Sequence, residues 1–154
     1  VYCSDLKRAV VTAEIISSGR NAEIIICPEL REINYGVCEG LTFEEISRRY
    51  PELWESIINF SLEVNFPGGE SFKEFITRTS KFLDRLNKHS AEQTILVVAH
   101  GGPLRTLVCD LLGIDQSHWR QIRLDNASLS IVETSPQRVI LSLLNDTSHL
   151  KEDV

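Results

Sequence analysis

His100 stands directly after a nearly continuous apolar run, Thr94 to Ala99, and is followed by Gly101 and Gly102. In open parallel sheets ligands bind beyond the carboxyl ends of the strands, so residues just after strands are the first candidates for chemistry. An imidazole and two glycine amides at the start of a helix form a site that favours anions, and glycine lets a ligand approach the backbone closely. Arg8 lies one turn into the first helix, where a guanidinium can grip phosphoryl oxygens in a bidentate fork. Glu32 and Glu39 sit in an irregular loop with Tyr35, Gly36 and Gly40, and partial burial can tune such a carboxylate into a general acid. Taken singly, each has a plainer reading: a structural histidine, a solvated surface arginine, solvated loop glutamates.

Alternating strands and helices must position these groups. Val1-Tyr2-Cys3 reads as strand, with Ser4-Asp5 opening a helix through about Ser18. Glu23 to Cys27 is a β-branched strand closed by Pro28. Thr42-Phe43-Glu44-Glu45 is a capping box, and Pro51 restarts helix after Tyr50. Ser71 and Glu74 cap one helix whose Phe72, Phe75, Ile76, Phe82, Leu83 and Leu86 form a single stripe. Thr94 to Ala99 suits a central strand covered on both faces. Pro103 starts a helix ending at Gly113. Ser128 to Thr134 and Arg138 to Leu144 pair as a hairpin, and the polar tail from residue 145 to 154 is expected to fray. This order predicts one α/β domain over residues 1–154: a three-layer α/β/α sandwich on a mostly parallel sheet.

With 154 residues, 42% apolar, the chain has the size for one core. The balance of 16 basic against 22 acidic side chains, a net charge of −6, argues against nucleic acid and anionic membrane surfaces as partners. Apolar runs fall short of a spanning helix. Cys3, Cys27, Cys38 and Cys109 lack metal-ligand spacing and read as reduced core thiols of a cytoplasmic protein. Trp54 and Trp119 default to the core.

Four segments, in order, resemble the histidine phosphatase superfamily, also called phosphoglycerate mutase-like. Ser4 to Ala13 resembles its S-x-L-x-R-A-x-x-T-A helix, and Leu30 to Gly40 its L-R-E-x-x-(F/Y)-G-x-x-E-G loop. Phe66-Pro67-Gly68-Gly69-Glu70-Ser71 is similar to its P-G-G-E-S turn, and Val97 to Gly102 to its second histidine motif. The resemblance implies that Arg8 holds phosphoryl oxygens, Glu32 is the acid/base, and His100 is the second pocket histidine, with Gly101 beside it on the phosphate. Glu39 is then left to shape the loop. It further implies a small phosphorylated metabolite as substrate, with no cofactor and no metal; a homodimer is left open.

The family's attacking histidine belongs to an Arg-His-Gly motif at the end of a first strand. His89, His100, His118 and His149 are the histidines here, and none follows an arginine. The expectation is an N-terminal truncation, first strand and nucleophile absent, and a chain that turns nothing over. The short helical lid over 41–66, whose cations are Arg48 and Arg49, is similar to that of the α-ribazole and broad-specificity phosphatases. The alternatives are mutase-type phosphoryl transfer and a non-catalytic phosphate-binding module. An α/β-hydrolase esterase fails because Gly69-Glu70-Ser71-Phe72-Lys73 lacks the last glycine of the nucleophile elbow, and Ser4-x-x-Lys7 lacks the other β-lactamase motifs.

Overall fold

The computed structural model describes residues 1–59, 61–90 and 92–150, so Phe60 of the expected lid and the last four residues of the tail lie outside the described residues. Strand β1 (Tyr2–Cys3) occupies the middle of a three-stranded parallel sheet, between β2 (Ile25–Ile26) and β3 (Val97–Val98). Tyr2 stands opposite Ile25 and Val97, and Cys3 opposite Ile26 and Val98. The regular pairing is two residues long, shorter than the runs 23–27 and 94–99, and among the described residues each outer strand of this sheet pairs with β1 alone.

Successive side chains of a strand face opposite ways, and in β1 two adjacent residues define both layers. Cys3 packs with Val98 and with Ala9 and Ala13 of α1 (Lys7–Ser17), whose small side chains let that helix lie close to the sheet. Tyr2 packs on the other face with Cys27, Leu30, Phe82 and Leu107, meeting Phe82 edge-on at 5.2 Å. The result is the expected α/β/α layering.

Both predicted capping boxes form. Thr42 opens α2 (Phe43–Arg49) and Ser71 opens α4 (Phe72–Ser80), each exchanging hydrogen bonds with the glutamate three residues on. Helix α3 (Pro51–Ile58) restarts at Pro51 as expected. Three boundaries move. The first helix begins at Lys7 rather than Ser4 because the side chains of Ser4 and Asp5 go to His100 and Arg31 instead of capping it. The expected single helix from Phe72 to Leu86 divides into α4 and α5 (Leu83–Leu86), with Phe82 N donating to Thr79 O at 2.9 Å in a tighter turn that keeps Phe82 fully buried. Helix α6 (Gly101–Leu112) starts two residues before Pro103, which fits within its first turn, and closes on left-handed Gly113.

Strands β4 (Leu129–Ser135) and β5 (Arg138–Asp146) form the predicted antiparallel hairpin as a separate two-stranded sheet. Beyond it the tail is not frayed through residue 150: Ser148–Leu150 makes a short helical turn. A further apolar cluster joins α2 and α3 to α4 and α6 through Ile46, Ile57, Phe66, Phe72, Phe75, Cys109 and Trp119. Trp119 is thus core, and Trp54 packs partly buried against the same cluster. All four cysteines are buried and free. No helix among the described residues is long and apolar enough to cross a membrane.

Phe75 is fully buried in this cluster, beside Phe72. Phe75→Ala is expected to cost about 3–5 kcal/mol, read as a lower denaturant midpoint with an unchanged slope.

Candidate active site

Because β1 and β3 are parallel neighbours, the residues that follow them emerge at the same edge of the sheet. Ser4 follows β1 and His100 lies just beyond β3, and their side chains meet: His100 Nε2 lies 2.9 Å from Ser4 Oγ. Arg8, in the first turn of α1, donates Nε–H to His100 Nδ1 at 3.2 Å. An arginine Nε always carries its hydrogen, so Nδ1 is the acceptor and the proton of the neutral ring sits on Nε2, donated to Ser4. Ser4 Oγ also accepts from Leu6 N at 3.3 Å. His100 is 9% exposed. Burial first, and then the Arg8 charge, push its pKa down to about 4 against a smaller pull from Asp5.

The loop after β2 brings in Glu32. Its Oε2 accepts from Gly102 N at 3.2 Å and its Oε1 from Ile33 N at 3.0 Å. Of the two glycine amides expected to face an external anion, that of Gly102 is therefore engaged by the protein's own carboxylate at the N-terminal end of α6. A Cβ on Gly102 would overlap Glu32 Oε1 and lie 3.0 Å from the Phe75 ring, so any larger residue must push the Glu32 carboxylate off this amide. Gly101 opens the helix next to His100, with the Arg105 guanidinium beside it: a Cβ there would lie 3.4 Å from Nη1.

The structure thus gathers Arg8, His100, Gly101 and Glu32 around the start of α6. Glu39 stays apart: its Oε1 accepts from Tyr35 N at 2.9 Å and shapes the loop. Two residues escaped sequence reasoning. Ser4 looked like a helix cap, although its place directly after a strand, like that of His100, was the available signal. Tyr35 stood in the quoted loop without a role. Burial, followed by the negative charge of Glu32, pushes its phenol up to about 12, with Arg120 and Arg105 opposing, so it stays protonated. Ile33, Tyr35, Phe66, Trp119 and Arg120 help line a cavity of about 20 Å³, room for about one water rather than a substrate. Among the described residues, no group of three or more His, Cys, Asp and Glu is placed to hold a metal ion.

A carboxylate on one side of a helix N-terminus, with a guanidinium and an imidazole on the other, suits a phosphorylated ligand. The chain belongs to the histidine phosphatase superfamily (branch 1), whose family model matches residues 1–147. It is 36% identical over 152 residues to phosphoserine phosphatase 1 of Hydrogenobacter thermophilus, a match covering 99% of this chain and 72% of that protein. It is 32% identical to the metal-independent phosphoserine phosphatase of Arabidopsis thaliana, covering 97% of this chain and 62% of that one. The crystal structure of the α-ribazole phosphatase from Shigella flexneri superposes with a TM-score of 0.85 at 29% identity, over 94% of this chain and 72% of that chain.

Two outcomes are expected. On acidification the unfolded chain takes up a proton at the ordinary histidine value of 6.5, whereas folded His100 resists until about 4. Its contribution is whole above that ordinary value and is lost as pH falls toward about 4, on the order of 3 kcal/mol. Denaturant titrations across this window should show that slope, and His100→Gln should flatten it. In thermal melts Gly102→Ala should cost about 1–3 kcal/mol. Gly101→Ala, which meets only the movable end of Arg105, should cost under about 1 kcal/mol.

Proposed function

We propose that this chain carries the phosphoryl-holding and acid/base groups of a metal-independent phosphomonoester hydrolase that works through a phosphohistidine intermediate. The observation that carries the reading is the Arg8–His100 contact at the carboxyl edge of the parallel sheet. Between a fixed cation and a buried neutral imidazole, a phosphoryl group finds both a guanidinium fork and a ring able to take up a proton. Its negative charge offsets the two effects that keep His100 neutral and turns the ring into a second donor. Arg8, His100 and the Gly101 amide would hold the equatorial oxygens, where charge accumulates in a loose transition state. Glu32, across the first turn of α6, would protonate the leaving oxygen and then activate water for the second step.

The substrate class is a small phosphorylated metabolite, as the names of the relatives support. Helices α2 and α3 would form its cover. Arg48 and Arg49 are exposed, and Arg49 pairs with Glu45 at 3.5 Å, which supports a solvated helix face rather than an anion grip and favours hydrolysis over mutase transfer. The buried free thiols support a cytoplasmic protein. On this reading none of the four described histidines is the attacking group, because each is engaged elsewhere or lies off the site. His100 Nε2 faces Ser4, His89 bonds Tyr2 and Gln93, His118 bonds Gln121, and His149 lies in the final turn.

The test is to expose the purified chain to a radiolabelled phosphomonoester and to trap phosphohistidine at alkaline pH. No label is expected on this chain, while inorganic phosphate should bind and Arg8→Ala should abolish that binding. Label on His100 would overturn the exclusion of that ring as the attacking group.

A further inference from the structure

Glu32 lies in a segment with little regular structure: one short turn, Pro28–Leu30, precedes it and another, Gly36–Cys38, follows. Regular backbone pairing therefore does not fix its carboxylate at the start of α6. From α4, Arg78 reaches into the segment with hydrogen bonds to its main chain. Arg78 donates Nη1–H to the carbonyl oxygens of Glu29 and Arg31, both at 2.9 Å, and more weakly to Pro28 O at 3.4 Å, all on the main chain that leads into Glu32. Its other edge pairs fork to fork with Glu70, Nε to Oε1 at 2.8 Å and Nη2 to Oε2 at 2.9 Å. The guanidinium lies over the Phe75 ring, 5.4 Å from its centre.

Glu70 completes the clamp from the far side. Its Oε2 accepts from Asn34 N at 3.0 Å, and its own N–H donates to Asn34 O at 3.0 Å. Glu70 belongs to the Pro-Gly-Gly turn, which presses against the loop so closely that a Cβ on either Gly36 or Gly69 would strike backbone of the other segment. Both partners of the pair are only 23% exposed. Burial is the strongest influence on the Glu70 carboxyl and opposes ionisation, yet the hydrogen bonds from Arg78 and Asn34 hold it below the usual range.

We propose that Arg78 and Glu70 are positioning residues for Glu32, clamping the main chain before and after it so that its carboxylate meets the Gly102 amide. The chemical role of Glu32 rests on the phosphatase reading above; the clamp itself does not. Arginine is required because two carbonyls and a carboxylate must be met at once from one planar group, which the point charge of lysine cannot do. Phe75 ties the clamp to the site, since its ring underlies both the Arg78 guanidinium and Gly102.

The experiment follows the Gly102 amide proton by NMR in the chain as it stands, since a proton donated to a charged acceptor is strongly deshielded. Glu32→Gln sets the reference upfield shift. Arg78→Ala should move the resonance the same way by at least about half that amount, added guanidinium should move it back, and Arg78→Lys should remain displaced. The Kd for inorganic phosphate should stay within about threefold in both Arg78 variants, because the clamp does not touch the anion groups. A folded Arg78→Ala protein with an unmoved Gly102 resonance would overturn the proposal. Should that variant fail to fold, Glu70→Gln, which keeps the shape and removes the charge, decides by the same resonance. Failure of the phosphatase reading shows separately, as a parent chain that does not bind inorganic phosphate while Gly102 still reports the clamp.

Discussion

The hydrogen bond from the Gly102 amide to the Glu32 carboxylate is the constraint around which the rest of the site is arranged. It joins the loop after β2 to the first turn of α6, two segments 70 residues apart in sequence. It uses a free amide at a helix start, which has no partner within the helix and favours negative charge. It also demands glycine at 102, since any side chain would displace either Glu32 or Phe75. Helix α6 therefore begins at Gly101, and Pro103 is carried inside its first turn.

The other half of the site follows from parallel pairing. Two neighbouring strands that run the same way deliver the residues after them to one edge, so Ser4 and His100 touch across 96 residues of sequence. Adding Arg8 makes a locally positive site around a ring that burial and the guanidinium together keep neutral. The same desolvation that disfavours a second cation strengthens the attraction of the site for an anion. Arg8 fixes which nitrogen carries the hydrogen: its Nε–H occupies Nδ1, leaving Nε2 to donate to Ser4.

Packing explains why these irregular segments hold still. The apolar cluster of Ile33, Phe66, Phe72, Phe75 and Trp119 lies under the loop and the Pro-Gly-Gly turn together, so neither can move without opening core. Trp119 carries an arginine against its ring from each of two elements, Arg105 of α6 at 5.6 Å and Arg120 of its own turn at 5.5 Å. Arg105 is further anchored to Ile122 O at 2.8 Å. The cations near the site are thus largely structural, tied to backbone carbonyls and rings, and Arg8 stands apart in meeting the candidate histidine.

Much of this was legible in the residues in order. The boxes at Thr42/Glu45 and Ser71/Glu74, the left-handed stop at Gly113, the hairpin after Ser128 and the apolar strand before His100 are local signals, each complete within a few residues. The four spaced motifs placed Arg8, Glu32 and His100 among the candidates for the same reason, that type and spacing are properties of the chain. What the sequence could not decide is direction and partnership. Ser4 turns toward His100 instead of capping α1, the helix after Ser71 tightens at Thr79 so that Phe82 reaches Tyr2, and the Gly102 amide takes a carboxylate of the protein itself. Each of these choices is made by a group 70 or more residues away, or by space in the core, and only the folded chain brings those groups close enough to compete.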